Sequence, residues 1–519
     1  MTWSVLADRR HLWAFWLGCA IATAGVALHL PMFLMARDMG YRLAGMPMDA
    51  GMLAGMGLIV IGIVVAGYGL LPRAAEGGSD ANIAVTPPED APLTLAHWTL
   101  MLVLVVALVI DIMKPASLGF TVPGMIAEYG MPKSMIAFLP FSALTGTVVG
   151  SVVWGWLADL YGRRASILLS SVMFVGTAIC GAMPSFWGNV GMCFLMGAAA
   201  GGMLPVTYAL LAETMPSKHR GWSLVLVGGL GAVGGYVAAS GLSALLQPTF
   251  GWRIMWFLNL PTGLILIFLS GFIPESAKFL QHCGRMEEAR ATLRRFGSVV
   301  LTGGQAAAEA PLHPPLPPVA RRYAGTTVAL TITAIAWGLI NFGLLLWLPN
   351  ELVAKGYSMA LSSRLLAESA LIALPTVFVA ALLYSRWSTK WALALMIAIT
   401  AVGLVGVLQL GTATGATFSP VLPVALLILG SNGILAILLP YTAESYPLRV
   451  RGRATGWVAA CSKFGGLLAQ LLAILALVPA LGPAAAAIIV PVALALALVV
   501  WFGSETRGRD LRRLESAPA

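Results

Sequence analysis

The chain of 519 residues is 59% hydrophobic and only 10% charged, and its formal net charge is +10. Soluble globular domains carry about a quarter charged residues, so this composition excludes that class. Apolar runs of about 20 residues recur along the chain, long enough to cross a bilayer as helices. They lack the polar–apolar alternation of membrane β-strands. We therefore predict an all-α polytopic membrane protein.

The apolar runs predict 14 membrane spans. They lie near residues 12–35, 52–71, 97–122, 136–158, 166–183, 190–212, 222–246, 254–273, 326–349, 361–384, 391–410, 419–442, 455–478 and 483–503. With a cytoplasmic N-terminus, alternation along these spans places most of the 31 Lys and Arg residues inside, in accord with the positive-inside rule. The pattern predicts that both termini lie in the cytoplasm, and we expect a bacterial inner-membrane protein. Because the positive charge orients the chain, no nucleic-acid partner is predicted.

The first two spans and a polar linker, residues 72–94, form a separate part of the chain, residues 1–95. The apolar run that follows Arg9 and Arg10 is too long for the core of a signal peptide, so we expect a retained helix. We expect the two helices to lie on the lipid-facing flank of the others. A chain that starts near Pro92 should then keep its function.

A ten-residue pattern, Ala-Glu-x-x-Pro-x-x-x-Arg-Gly, occurs at residues 212–221 and again at 443–452, each time where an apolar run ends. The charged residues of the two copies are Glu213, Arg220, Glu444 and Arg451. A repeat half a chain apart in a membrane protein predicts two related helical bundles around a central site, residues 96–273 and 326–519. That architecture is typical of transporters that work by alternating access.

The segment between the predicted bundles, residues 274–325, is the longest polar interruption. Its first part, residues 284–296, places Met286, Ala289, Leu293 and Phe296 on one face, which predicts an amphipathic helix. The remainder is rich in Pro, Ala and Gly. Its Pro-Pro-Leu-Pro-Pro run is either a partner-binding motif or a plain linker, and the linker is favoured.

No motif indicates a cofactor or an enzymatic activity. The five cysteines are scattered, without the spacing of a disulfide framework or a metal site. The glycine cluster at residues 228–235 lies inside an apolar span and lacks the Lys-Ser/Thr of a phosphate-binding loop, so it favours close helix packing. We predict neither cofactor nor metal, and no ATP-driven pumping.

Asp111 is the acidic residue placed deepest in a predicted span, about 14 residues from its start. A charge at that depth costs about 2.5–3.5 kcal/mol. Lys114 lies three positions later on the same helical face, where the two can pair. We predict that they couple proton binding to transport; the alternative is an inert internal ion pair. Arg364 and Glu368 predict a surface i,i+4 pair rather than a second proton site.

The sequence Gly155-Trp-Leu-Ala-Asp159-Leu-Tyr-Gly-Arg163-Arg164 resembles the signature loop of major facilitator superfamily transporters. Residues 251–253 (Gly-Trp-Arg) and 274–276 (Pro-Glu-Ser) resemble its metabolite:proton symporter branch, which includes sugar porters and aromatic-acid symporters. The resemblance spans about residues 97–505. It implies a twelve-helix core preceded by two additional helices.

The charged residues of these motifs lie at predicted helix ends on the cytoplasmic side. Half-buried ion pairs there can hold two bundles together and release them, because Coulomb gain and desolvation cost nearly balance. The predicted gating residues are Asp159, Arg163, Arg164, Glu213, Arg220, Glu275, Glu444 and Arg451. The alternative is that they only fix the topology. The second copy of the signature loop, residues 381–390, has Ser385 at the acidic position, so its gate should depend less on charge.

The resemblance also implies residues that line a central cavity. Relatives tend to carry a second acid where Lys114 stands and often an Arg where Cys193 stands, so we predict that Lys114 replaces that cation. Asn341 lies in the helix that lines the cavity in similar transporters, and is either a substrate contact or a core hydrogen-bonding residue. Lys463 stands where relatives often have Arg.

These features predict proton-coupled uptake of a small organic solute. A buried cation favours an organic or aromatic acid over a sugar. The alternatives are efflux of a drug or metabolite by proton antiport and, in another class, a transporter-derived sensor or assembly subunit. The expected partners are a small-molecule substrate, protons and the lipid bilayer, and we expect a monomer.

Overall fold

The computed structural model describes residues 9–70, 92–282, 285–296, 323–412, 420–446, 448–477 and 480–507. Within these ranges every regular element is a helix, which confirms the predicted all-α class. The α-helices are α1 (Arg9–Ala27), α2 (Leu30–Met35), α3 (Ala50–Leu70), α4 (Leu95–Tyr129), α5 (Lys133–Ile136), α6 (Phe138–Tyr161), α7 (Arg163–Gly176), α8 (Phe186–Ala200), α9 (Met203–Thr214), α10 (Ser217–Phe250), α11 (Ile254–Phe257), α12 (Asn259–Leu269), α13 (Ala277–His282), α14 (Met286–Arg295), α15 (Ala324–Gly338), α16 (Leu346–Ala354), α17 (Met359–Ala373), α18 (Thr376–Arg386), α19 (Thr389–Thr412), α20 (Val421–Ser445), α21 (Leu448–Ile474) and α22 (Leu481–Phe502).

The described residues contain 13 helical stretches that are long and apolar enough to cross a membrane. In the region of the predicted span near residues 190–212 the structure has two helices, α8 and α9, instead of one continuous helix. They meet at Gly201 and Gly202, and Pro205 follows. Consecutive glycines weaken a helix, and a proline lacks the amide donor that would continue the preceding turn. The break therefore follows from local backbone chemistry.

The helices form two compact units. Unit 1 comprises Met1–Asp111, Ser142–Arg220 and Leu246–Glu309, and unit 2 comprises Ile112–Phe141, Gly221–Leu245 and Ala310–Ala519. Unit 2 combines the second predicted bundle with parts of α4 and α10 from the first, whereas unit 1 contains no residue of the second bundle. The boundaries of the two bundles stay a prediction.

In unit 1 the two additional N-terminal helices pack closely against each other. A Cβ atom on Gly62 would lie 2.5 Å from the amide nitrogen of Ala22, and one on Gly18 would clash with the amide nitrogen of Ala66. Only small residues allow such an approach of two backbones. The pair shares an apolar cluster with α7 and α12, to which Phe15, Ile59, Val172 and Ile267 belong. The additional helices thus lie on the flank of unit 1 that α7 and α12 form.

The turn before α11 in unit 1 holds a fully buried cation. Arg253 donates from Nη1 to the carbonyl oxygens of Gly181, at 3.1 Å, and Met183, at 2.8 Å. Nearby, the rings of Phe33 and Phe257 have centroids 4.8 Å apart. Helix α2 therefore packs beside α11, which directly follows the Gly-Trp-Arg motif.

The predicted amphipathic helix is confirmed as α14, whose residues Ala289 and Leu293 are buried. Phe296, just after the helix, is also buried and makes an edge contact with the ring of His97 at 5.0 Å. The Pro-Pro-Leu-Pro-Pro run and most of the linker at residues 72–94 lie outside the described residues.

In unit 2 one apolar cluster joins parts of α4 and α10 to α15 and the helices that follow. The glycine cluster at residues 228–235, for which close helix packing was predicted, lies inside α10. A Cβ atom on Gly235 would lie 2.8 Å from the Cβ of Ile112 in α4. The cluster therefore serves helix packing, as predicted. A π-helical segment, Leu339–Leu345, separates α15 from α16.

Candidate functional site

The charged turn between α6 and α7 in unit 1 is built around a buried glutamate. Gly162 has a φ of 100°, which favours glycine, and it directs the chain into α7. Glu275, only 4% exposed, accepts hydrogen bonds from the amides of Arg163 (2.7 Å) and Arg164 (3.3 Å). A carboxylate at a helix N-terminus satisfies unpaired amides and interacts favourably with the helix dipole. Glu275 thus caps α7.

A second glutamate of unit 1 connects this cap to the end of α9. Glu213 lies 3.3 Å from Nη2 of Arg163, and it accepts a 2.6 Å hydrogen bond from the hydroxyl of Ser276. Ser276, which follows the capping Glu275, therefore binds Glu213 of the repeated ten-residue pattern. Arg220 donates to the carbonyl of Met215 at 3.5 Å. The side chain of Asp159 lies outside the described part of the structure.

Unit 2 contains a corresponding cap at the start of α19. Glu505 accepts hydrogen bonds from the amide of Thr389 at 3.0 Å and its hydroxyl at 2.7 Å, and also from the hydroxyl of Ser388. Thr506 donates to Glu444 at 2.8 Å. Glu505 and Thr506 therefore repeat, 230 positions later, the roles of Glu275 and Ser276.

Glu444 also accepts a 2.7 Å hydrogen bond from the hydroxyl of Tyr384. In the first copy of the ten-residue pattern, Glu213 thus binds a guanidinium group and a hydroxyl. In the second copy, Glu444 binds a phenol and a hydroxyl. Sequence reasoning missed Tyr384, Glu505 and Thr506. The sequence does contain a signal for Glu505 and Thr506. The last apolar run of each predicted bundle ends in a glutamate followed by a hydroxyl residue, Glu-Ser in the first bundle and Glu-Thr in the second. The side chain of Arg451 lies outside the described residues.

The two capping glutamates differ in electrostatics. Burial raises the pKa of Glu275, against the opposing effect of the amide hydrogen bonds and of Arg164. Burial also tends to raise the pKa of Glu505, but hydrogen bonds from Ser388 and Thr389 outweigh it and lower that pKa to about 2. Glu505 therefore stays ionised over a wider pH range.

The predicted coupling residues lie near the middle of α4, which extends beyond the predicted end of its span. Asp111 is 6% exposed and Lys114 is 1% exposed. At 1.5 Å per residue, Asp111 lies roughly 24 Å along the axis from the first residue of the helix. Both charged side chains are therefore withdrawn from solvent far from either helix end, as the sequence predicted.

Asn341 lies inside the π-helical segment of unit 2. Its amide nitrogen donates to the carbonyl of Trp337 at 3.2 Å. Phe342 makes a perpendicular ring contact with Trp337, with centroids 5.7 Å apart, and Nζ of Lys463 lies 5.4 Å from the Phe342 ring. Single π-helical turns occur frequently at functional sites. The segment thus places an amide, two aromatic rings and a cation together.

Gln470 of α21 ties this segment to α16. Its side-chain oxygen accepts a 3.2 Å hydrogen bond from the indole of Trp347, and its nitrogen donates to the carbonyl of Phe342. Lys133, in α5, forms a 2.6 Å ion pair with Glu351 and lies 4.8 Å from the Trp347 ring. Both residues of this pair lie on the predicted outer side. Sequence reasoning did not find it, because the partners are 218 positions apart.

Arg364 and Glu368 form a 2.9 Å ion pair on the surface of α17, where their side chains are 73% and 43% exposed. This confirms the predicted i,i+4 pair.

Known transporters resemble this chain in sequence and in fold. The niacin transporter NiaP of Acinetobacter baylyi is 26% identical over 444 residues, covering 82% of this chain and 98% of that protein. The benzoate transport protein of the same organism is 23% identical over 402 residues, covering 74% of this chain and 84% of that protein. The proton:xylose symporter XylE of E. coli, solved with 6-bromo-6-deoxy-D-glucose, superimposes with a TM-score of 0.61 at 17% identity, covering 81% of this chain and 98% of XylE.

Residues 99–469 match the family model of the Major Facilitator Superfamily, which is more than half of the chain. The likeness to XylE shows the same fold. The signature loop and the repeated box lie inside the matched range. The chain belongs to the Major Facilitator Superfamily.

Proposed function

We propose that this protein is a secondary active transporter that takes up a small organic acid together with protons. Similarity to a niacin transporter over 98% of that protein's length carries the proposal. Similarity to a benzoate transport protein supports the same class. Niacin and benzoate are both aromatic carboxylic acids, and the membrane-embedded part of this chain offers Lys114 and Lys463 as cations. An aromatic acid is therefore the proposed substrate.

Asp111 and Lys114 provide the coupling in this proposal. An ionised Asp111 competes with the carboxylate of the substrate for Lys114, since both are anions. A proton on Asp111 removes this competition and lets the lysine bind the substrate. Proton and acid then enter together. The occupied site, with neutral Asp111 and a lysine–carboxylate pair, keeps the zero net charge of the empty Asp111–Lys114 pair, so neither state buries an uncompensated charge.

The ion pairs and carboxylate networks at helix ends act as gates. On the cytoplasmic side we assign gating to Asp159, Arg163, Arg164, Glu213, Arg220 and Glu275, and to Glu444 and Arg451 of the second box. Partly buried ion pairs suit this role because the Coulomb energy gained by pairing nearly equals the cost of removing the charges from water. The Lys133–Glu351 pair serves the outer side. We place both termini in the cytoplasm of a bacterial inner membrane and expect the transporter to be a monomer.

Counterflow tests the proposal directly. Purified protein in liposomes preloaded with unlabelled nicotinate or benzoate should take up the same labelled acid, and liposomes preloaded with xylose should not. Flux of xylose alone would favour a sugar substrate. Absence of flux for every compound would contradict a transport function and favour a sensor or assembly subunit. Proton-driven accumulation only in the export direction would replace uptake by antiport.

A further inference from the structure

Two buried hydrogen-bond donors in unit 2 have no hydrogen-bonding partner among the described residues. One is Nε1 of Trp337, a residue that is only 5% exposed, and the other is the hydroxyl of Tyr236. Roughly nine in ten buried polar groups in proteins are paired. Leaving such a group unpaired destabilises the folded state, so each unpaired buried donor needs an explanation, such as a ligand or a function.

Tyr236 lies in the middle part of α10, and Trp337 lies where α15 continues into the π-helical segment. Trp337 belongs to the apolar cluster of unit 2, and Tyr236 packs against that cluster. Tyr236, in α10, also makes an edge contact with Phe120 of α4, with ring centroids 5.7 Å apart. An indole nitrogen can only donate a hydrogen bond, and a phenol most readily donates to a strong acceptor. The two groups are therefore matched to an acceptor within an apolar environment.

The surroundings of Trp337 indicate where a flat ligand would lie. The edge contact between Trp337 and Phe342 and the position of Lys463 near the Phe342 ring combine aromatic surface with a cation. A carboxylate is the natural partner of a lysine. The unpaired N–H and O–H groups then remain for an acceptor elsewhere on the same molecule.

We propose that Trp337 and Tyr236 supply hydrogen-bond donors for further acceptors on the aromatic ring of the substrate, while a lysine binds its carboxylate. A pyridine nitrogen has one lone pair and accepts from one of the two donors. This inference rests on the proposed transport of an aromatic acid and narrows it. The substrate class is a ring that carries a carboxylate and a further acceptor, as a pyridine carboxylate does. A site built to hydrogen-bond a group discriminates strongly against analogues that lack it, because its own donors are then left unpaired.

The test compares nicotinate with benzoate, which has the same shape and carboxylate but no ring nitrogen. Affinities of the purified protein for both acids are measured by calorimetry. The wild type should prefer nicotinate by about tenfold, the usual effect of one buried hydrogen bond. Because the ring nitrogen accepts one hydrogen bond, either Tyr236→Phe or Trp337→Phe should reduce that preference several-fold by weakening nicotinate binding, with little change for benzoate. Tyr68→Phe removes a hydroxyl from an exposed residue of unit 1 and serves as the matched control.

Thermal unfolding without ligand separates a binding role from a structural one. Tyr236→Phe should leave the Tm unchanged or raise it, because it removes an unpaired buried hydroxyl. Equal affinity of the wild type for the two acids, or an unchanged preference in both variants, would overturn the inference while leaving acid transport intact. Failure of the wild type to bind either acid would overturn the proposed function and this inference with it.

Discussion

Nζ of Lys133 lies 2.6 Å from Oε1 of Glu351, a residue 218 positions later in the chain. The pair is partly buried, and Lys133 also lies against the ring of Trp347. Trp347 in turn donates to Gln470, which donates to the π-helical segment that holds Asn341. The Lys133–Glu351 pair is thus connected through described contacts to the segment around Asn341.

Charge reversal tests whether this pair acts as an outer gate. Lys133→Glu and Glu351→Lys should each lower transport several-fold, because like charges then face each other. The double variant should recover most of the activity, with a coupling energy of about 1 kcal/mol, as expected for a partly exposed pair. Arg364→Glu, in the surface pair of α17, is the control and should have little effect. Equal activities of the single and double variants would contradict a gating role.

The low pKa of Glu505 predicts a pH-dependent contribution to stability. Its pKa falls from 4.5 to about 2 on folding, so ionised Glu505 stabilises the protein above pH 4.5. That contribution is lost as the pH falls from about 4.5 to about 2. Glu505→Gln should lower the Tm by a few degrees at pH 7 and by less at pH 3, measured by thermal unfolding in detergent. Glu368→Gln should change the Tm little at either pH; an equal loss in both variants would argue against the cap.

The additional N-terminal helices are expected to be dispensable for substrate binding. Deletion of residues 1–91 should lower the yield of folded protein and preserve counterflow, since α1 and α3 pack on a flank of unit 1. Gly62→Leu should have a similar effect on yield, because its Cβ would clash with the backbone of Ala22. Gly57→Leu is the matched control, since a Cβ there meets open space. Complete loss of binding in a well-folded deletion protein would place the pair in the site itself.

Lys114 is predicted to act through Asp111. Without the cation, a buried Asp111 becomes easier to protonate, so Lys114→Ala should move the pH optimum of transport upward. Cys193→Arg in the same background should restore part of the rate, if Lys114 replaces the arginine that relatives often carry at that position. An unchanged pH optimum in the folded Lys114→Ala protein would remove Lys114 from the coupling step.

The fold class and the charged motifs at helix ends could be predicted because each depends on neighbouring residues. The length of an apolar run indicates whether a helix can cross a bilayer. The spacing of apolar residues within 284–296 likewise predicts a buried helix face from that segment alone. Asp111 and Lys114 could be found for the same reason, since a charge inside a long apolar run is costly wherever the run packs.

The rest depends on distant partners. Nothing near Glu275 in the sequence shows that it caps α7, and nothing near Glu505 shows that it caps α19. The lack of a partner for the indole of Trp337 likewise depends on its whole surroundings. The break between α8 and α9 was present in the sequence as Gly201-Gly202, but the long apolar run concealed it.

Accumulation driven by a pH gradient is the most direct test of proton-coupled uptake through Asp111. Liposomes with an acidic outside should concentrate labelled nicotinate through the wild-type protein, and collapse of the gradient should abolish the accumulation. Asp111→Asn should lose the uphill accumulation and keep counterflow of preloaded substrate, because a permanently neutral side chain binds no proton but still leaves Lys114 available. Gradient-driven accumulation by Asp111→Asn at the wild-type level would contradict this account.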